Sequence, residues 1–212
     1  MISIIVADDH PIVREGLKRI IADCSDMFLV GEATDGNDVL EKCSQNSVDV
    51  LLLDISMPGP GFIETLQNIR EINSKLRILV LSIHPESHYA VRAIKAGASG
   101  YLTKNHTPEE LAMAIRHVYN GKKYMTSSLA DEIISDLQSG EENELYKKLS
   151  DREYQILCML GLGKKVTEIA SSLSLSPKTV STYRSRILEK LKLKNTGELI
   201  RYAVENNLTG SG

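Results

Sequence analysis

Two hydrophobic periods alternate through the first 121 residues. Short apolar runs lie at residues 2–7, 28–33, 49–53, 77–82 and 99–103. They are rich in Ile, Val and Leu and show little polar alternation, which is the pattern of strands buried on both faces, as in a parallel sheet. Residues 11–23, 36–45, 62–72, 86–96 and 108–120 instead space their apolar positions three and four apart, which predicts helices. Gly31, Gly36, Pro58-Gly59-Pro60-Gly61, Pro85, Gly97, Gly100, Pro108 and Gly121 fall at the proposed junctions. Five such units predict an α/β fold, a doubly wound parallel sheet with helices on both faces.

The pattern then changes. Residues 122–147 offer one helix, Ser127 to Leu137, followed by a polar, acidic stretch from Gln138 to Glu144 that reads as a linker. From residue 150 the strand signal vanishes. Ser150-Asp151-Arg152-Glu153 is a capping box opening a helix with Ile156, Leu157 and Leu160 inward. A short helix follows near Thr167 to Leu173. Ser176-Pro177 then supplies an N-cap and a first-turn proline for a third helix burying Val180, Ile187, Leu188 and Leu191. A fourth, after Thr196, uses Leu199, Ile200 and Ala203. Two helices joined through Ser174-Leu175-Ser176 form a helix-turn-helix pattern in a small all-α domain. The expected organisation is therefore 1–121, 122–147 and 148–212.

Charge sharpens that division. Residues 1–121 carry 11 Lys/Arg against 16 Asp/Glu, whereas residues 148–212 carry 11 against 6. An acidic front and a basic rear predict that the rear alone meets a polyanion. No apolar run approaches the roughly 18 residues needed to span a bilayer, and no signal sequence opens the chain, so a cytoplasmic location is expected. Cys24, Cys43 and Cys158 lack metal-ligand spacing and read as reduced, apolar-like side chains. His84 and His88 have i, i+4 spacing, but Pro85 between them argues against a metal site.

Candidate chemistry sits where strands stop. Asp8 and Asp9 follow the first run, Asp54 the third, and Lys104 the fifth. In an open α/β sheet these carboxyl ends share one edge, where ligands bind. Three acids at one point would raise one another's pKa values unless a cation sat among them, and an oxygen-rich set suits Mg²⁺. Asp54 is then a carboxylate able to form an aspartyl phosphate, with Asp8, Asp9 and the Ser56 backbone carbonyl as further metal ligands. Lys104 would pair with one phosphoryl oxygen and the Ser82 hydroxyl with another. Taken singly, an Asp-Asp pair is equally a helix cap or solvated turn; the conjunction of strand ends favours a shared site. A phosphatase working through an aspartyl phosphate would want a second acid two residues after the nucleophile, where Ser56 stands.

Asp8-Asp9-His10-Pro11-Ile12-Val13-Arg14-Glu15-Gly16-Leu17, Asp54-Ile55-Ser56-Met57-Pro58-Gly59, Ser82 and Lys104 resemble the receiver domain of bacterial two-component response regulators. That domain is a five-stranded, flavodoxin-like fold. The rear segment is similar to the LuxR-type DNA-binding domain of the NarL/FixJ subfamily. The resemblance implies that Asp54 accepts phosphate from a sensor histidine kinase. The receiver would catalyse only its own phosphorylation and dephosphorylation. Ser82 stands at the switch hydroxyl position and Tyr101 at the switch aromatic, which swings inward on activation. It also implies a homodimer, with Leu199, Tyr202 and Ala203 of the last helix partly interfacial, and RNA polymerase as a further candidate partner. A receiver that dimerises without phosphate is the alternative reading. One departure stands out: where the family commonly has an acid and then glycine, this chain has Gly61 and Phe62, a bulky ring beside the loop that follows Asp54.

The third rear helix exposes Lys178, Ser181, Thr182 and Ser185 at spacings of three, four and seven. Those residues would face the major groove of double-stranded DNA, with Lys178 and Arg184 near phosphates or guanine edges and Thr179 and Arg186 beside them. Lys190, Lys192 and Lys194 extend the positive surface. By resemblance, Ser181, Thr182 and Ser185 occupy positions that often read bases. Small hydroxyls read them less decisively than lysine, which shifts specificity toward water and DNA shape.

Overall fold

The computed structural model describes every residue except 46, 83–87, 139–144, 174, 207 and 209–212. The expectations for His84 and Pro85, for the acidic stretch after Gln138 and for Ser174 in the helix connection fall outside the described residues. Backbone contacts divide the chain into two compact units, Met1–Ile134 and Ser135–Gly212.

The first unit alternates strand and helix: β1 (Ile2–Ala7), α1 (Pro11–Ala22), β2 (Met27–Ala33), α2 (Gly36–Gln45), β3 (Val50–Asp54), α3 (Phe62–Ile72), β4 (Arg77–Ser82), α4 (His88–Lys95), β5 (Gly100–Thr103) and α5 (Pro108–Tyr119). All strand pairs are parallel and the sheet order is β2-β1-β3-β4-β5. The reversal of winding direction between β1 and β3 creates the crevice where such sheets bind ligands. Every residue of β1 and β3 is buried, because helices cover both faces. On one face Ile4, Val6, Leu52, Leu79 and Leu81 pack with Leu17, Ile21, Leu111, Ile115 and Val118 of α1 and α5. Helix α5 begins in a full capping box, Thr107 with Glu110, and Pro108 occupies its first turn, so its start is fixed locally.

Beyond α5 the chain makes one extra pairing. Tyr124 N–H donates to the Ser99 carbonyl (3.1 Å), and Tyr101 N–H donates to the Tyr124 carbonyl (3.0 Å). A Cβ on Gly100 would stand 2.7 Å from that carbonyl oxygen, so only glycine permits the approach. The chain then enters α6 (Ser127–Gln138).

The second unit contains a 3₁₀ turn (Leu145–Lys148), α7 (Asp151–Gly161), α8 (Val166–Ser172), α9 (Pro177–Lys190) and α10 (Thr196–Glu205). Helix α7 is buried from Glu153 through Leu160 and packs against α8, α9 and α10. A helix enclosed on all sides does not need an amphipathic stripe, and α7 lacks a clean one. Its only fully buried acid, Glu153, closes the Ser150 capping box and accepts Lys190 Nζ at 2.6 Å. Two expectations need correcting. Leu188 is only half-buried, because Val180, Ile187 and Leu191 define the inward stripe and Leu188 falls to its side. Leu199 and Ala203 are wholly buried within this unit and so are not available to a partner; Val204 is the exposed apolar residue of α10.

Candidate functional site

Parallel strands deliver their last residues to one edge. Asp8 follows β1, Asp54 ends β3, Ser82 ends β4, and Lys104 follows β5, its N–H bonded to the Ser82 carbonyl at 2.6 Å. Lys104 Nζ lies 2.6 Å from Asp8 Oδ2 and 3.0 Å from Asp54 Oδ2. Asp8 is completely buried and Asp54 is 2% exposed. Asp8 Oδ1 accepts the His10 backbone N–H at 2.8 Å, while Asp54 Oδ1 has no hydrogen-bond partner. One amine thus faces two buried carboxylates. Burial pushes the Asp54 carboxyl up to about 6; Lys104 opposes that rise and Asp8 reinforces it. Burial alone would pull Lys104 down, but Asp54 and Asp8 outweigh it and hold the ammonium above its usual value.

The excess of carboxylates over the single amine suits a cation. Asp8, Asp9, His10 and Asp54 each offer a ligand atom within 4.8 Å of the others. An oxygen-dominated set with an unpartnered buried carboxylate oxygen suits a hard divalent ion. His10 was not foreseen as a member. Its imidazole Nδ1 stands 2.8 Å from Asp9 Oδ1 and 3.3 Å from Asp8 Oδ1, and the signal available was its place between the acid pair and the helix-opening Pro11. Ser56, expected to offer its carbonyl, lies two residues beyond Asp54, and its backbone N–H helps to hold the Asp54 carboxyl down against burial.

Ser82 and Tyr101 are both fully buried. Tyr101 lies on β5, and its backbone is held by Tyr124, whose single-residue bridge is too short to register as a strand in the sequence. Phe62 turns inward, 8% exposed, with its ring 6.1 Å from that of Tyr89. Together with Asp54, Pro60, Thr65 and Gly36 it lines a tight pocket beneath the loop after β3. Gly59 in that loop has φ +101°, and the Pro58 carbonyl accepts the Gly36 N–H, which fastens the loop to α2.

In the second unit α9 starts at Ser176, whose Oγ accepts the Thr179 N–H at 3.0 Å and contacts Thr179 Oγ1 at 2.8 Å. Thr179 is therefore engaged in the cap and half-buried. Lys178, Thr182, Ser185 and Arg186 are exposed, and Ser181 and Arg184 half-exposed. Thr182 Oγ1 donates to the Lys178 carbonyl (3.0 Å) and Ser185 Oγ to the Ser181 carbonyl (3.1 Å). Both hydroxyls spend their proton on the helix and face outward as acceptors. Arg186 lies 5.9 Å from the Tyr183 ring centroid. Arg152 of α7 reaches the Leu173 carbonyl at the end of α8 (3.3 Å), bracing the turn that aims α9.

Comparison with known proteins agrees in both parts. Residues 4–116 match the response regulator receiver domain, and residues 147–203 match the bacterial regulatory proteins of the luxR family. The chain is 39% identical over 209 residues to response regulator UvrY of Escherichia coli, covering 98% of this chain and 96% of UvrY. It is 36% identical over 209 residues to response regulator GacA of Pseudomonas aeruginosa, covering 98% of each. Among solved structures it resembles RcsB of Salmonella enterica serovar Typhimurium bound to promoter rprA with the phosphomimetic BeF3-, with TM-score 0.61, 26% identity and coverage of 95% and 97%. A LuxR-family response regulator from Aurantimonas sp. gives TM-score 0.58 at 38% identity over 63% of this chain and 96% of that one. Among the described residues, no helix is long and apolar enough to cross a membrane.

Proposed function

The chain belongs to the response regulators that join a receiver domain to a LuxR-type DNA-binding domain, and we propose from that premise that phosphate on Asp54 controls its binding to DNA. The observation that carries the reading is the triad of Asp8, Lys104 and Asp54, buried at the carboxyl edge of the sheet in a chain whose second unit presents a basic helix. Residues 1–121 are the receiver, 122–147 the connecting helix and linker, and 148–212 the DNA-binding domain. A sensor histidine kinase supplies the phosphoryl group, and Asp54 attacks it through a carboxylate oxygen while the kinase histidine leaves. Lys104, already 3.0 Å from Asp54, holds an equatorial phosphoryl oxygen, and the Ser82 hydroxyl holds another. Asp8, Asp9 and Asp54, with the Ser56 carbonyl, would hold Mg²⁺, which would supply charge neutralisation for the phosphoryl group. The catalysis goes no further than the protein's own phosphorylation and dephosphorylation, in the cytoplasm of a bacterium.

Tyr101 carries the readout. Its backbone N–H is hydrogen-bonded to the Tyr124 carbonyl, three residues before α6, so a change at the site has a path through that hydrogen bond toward the linker. Homodimerisation then brings two DNA-binding domains to paired half-sites, with RNA polymerase as a downstream contact. On the DNA, Lys178 and Arg184 meet phosphates or guanine edges, with Arg186 alongside, while Thr179 stays in the cap. Because Thr182 and Ser185 face outward as acceptors, they suit the exocyclic amines of adenine and cytosine. Incubation with a small phosphodonor and Mg²⁺ tests the assignment. Wild type gains an acid-labile phosphate and binds DNA more tightly, and Asp54→Ala does neither. Labelling of Asp54→Ala would refute it. A second reading, a receiver that dimerises without phosphate, draws on Tyr101 already being buried in this structure. DNA affinity indifferent to phosphodonor would favour that reading.

A further inference from the structure

At the opposite, amino edge of the sheet the first unit carries a concentration of positive charge. Arg70 near the end of α3, Arg77 at the start of β4, and Lys122 and Lys123 after α5 converge on a cleft of about 190 Å³, with no acid in its lining. Residues 1–121 are acidic on balance, 11 Lys/Arg against 16 Asp/Glu, yet two of their arginines meet Lys122 and Lys123 at one place. Basic side chains at helix C-termini ordinarily satisfy the last carbonyls. Two of the four donate instead to loop carbonyls, Arg70 to those of Gly97, Ser74 and Leu76 and Lys123 to that of Ala98. The other two do not. Among the described residues Arg77 and Lys122 have no side-chain hydrogen bond or ion pair.

The cleft also holds a buried hydroxyl. Ser99 is 5% exposed, and its Oγ accepts the Ile78 N–H at 3.2 Å, which leaves its own proton to donate. Two glycines in the left-handed region allow the guanidinium groups to lie against the backbone. A Cβ at Gly97 (φ +102°) would meet Arg70 Nε at 3.1 Å, and one at Gly121 (φ +79°) would meet an Arg77 terminal nitrogen at 3.4 Å. The cations disfavour one another: burial, then Arg77, lowers Arg70, and burial, then Arg70 and Arg77, lowers Lys123. A polyvalent anion relieves that repulsion.

We propose that this cleft binds a diphosphate group, with Arg77, Lys122 and the Ser99 hydroxyl as its donors over a floor fixed by Arg70 and Lys123. The volume equals that of about six waters, enough for two phosphoryl groups and too little for a whole nucleotide, whose nucleoside would project into solvent. Bidentate guanidinium pairing suits a phosphoryl oxygen pair. The diphosphate can come free or as part of a nucleotide.

Calorimetric titration of the full-length protein, freed of metal and without Mg²⁺, tests this with pyrophosphate, orthophosphate and ADP. Without metal the acidic site at the other edge repels these anions. Wild type should bind pyrophosphate saturably and at least roughly tenfold more tightly than orthophosphate. Arg77→Gln combined with Lys122→Gln should weaken binding by at least roughly tenfold, and Ser99→Ala severalfold. Lys178→Gln with Arg184→Gln, in the other unit, should leave it unchanged. ADP equal to pyrophosphate supports a free diphosphate as the ligand, and ADP tighter than pyrophosphate supports a nucleotide. No saturable binding by about millimolar pyrophosphate, or binding that survives the Arg77/Lys122 changes, overturns the proposal.

Discussion

Replacing Asp54 by asparagine should stabilise the protein, and the gain should grow with pH. The Asp54 carboxyl rises from 3.8 to about 6 on folding, chiefly through burial. The folded state therefore holds this proton more tightly than the unfolded chain. That contribution to stability is complete below about pH 3.8 and is lost as pH rises through about 6. A shift of about two units corresponds to about 3 kcal/mol of stability lost above that window. Asparagine has nearly the shape of the protonated acid and never ionises, so it escapes the loss. Linkage places roughly half of the effect between about pH 5 and pH 8, so the stability difference between Asp54→Asn and wild type should widen by roughly 1–2 kcal/mol over that interval. Urea unfolding of both proteins in chelator at a series of pH values measures it. Adding Mg²⁺ should then stabilise wild type more than the variant, and more at the alkaline end. A difference that stays flat or narrows with rising pH would refute the reasoning, because the buried carboxylate would then be fully compensated by Lys104 alone.

Gly100→Ala should cost about 1–3 kcal/mol, since its Cβ would sit 2.7 Å from the Tyr124 carbonyl, and should speed hydrogen exchange at the Tyr101 amide; unchanged exchange would show that the bridge survives. Lys190→Met should lower unfolding stability by about 1–2 kcal/mol by leaving Glu153 with only its Ser150 partner, whereas Lys190→Arg should retain most of it. Lys178→Gln with Arg184→Gln should weaken DNA binding and reduce the slope of log affinity against log salt by about two, as measured by fluorescence anisotropy; an unchanged slope would place the phosphate contacts elsewhere.

Periodicity with turn and cap residues located the five strands and the helices between them to within a residue or two, because a buried parallel strand is a short apolar run and a helix repeats at 3.6; the 3₁₀ turn Leu145–Lys148 was not anticipated. The same local signals put Asp8, Asp54, Ser82 and Lys104 at strand ends, and the rule for open parallel sheets brought those ends together. The capping boxes at Ser150 and Thr107 were likewise decided within four residues. Leu188, Leu199 and Ala203 were not: whether an apolar residue faces its own core or a partner depends on where neighbouring helices lie, which no single helix encodes. Lys104 belongs to the same class. Its ammonium spans Asp8 and Asp54, residues 96 and 50 positions away, and the dry crevice in which they meet raises the Asp54 pKa while Lys104 opposes the rise. His10, Tyr124 and the basic cleft follow suit, each made of residues unremarkable in their local sequence. Local pattern settles where an element starts and stops. Burial, charge balance and the pairing of distant side chains are properties of the space between elements, and that space exists only once the chain has folded.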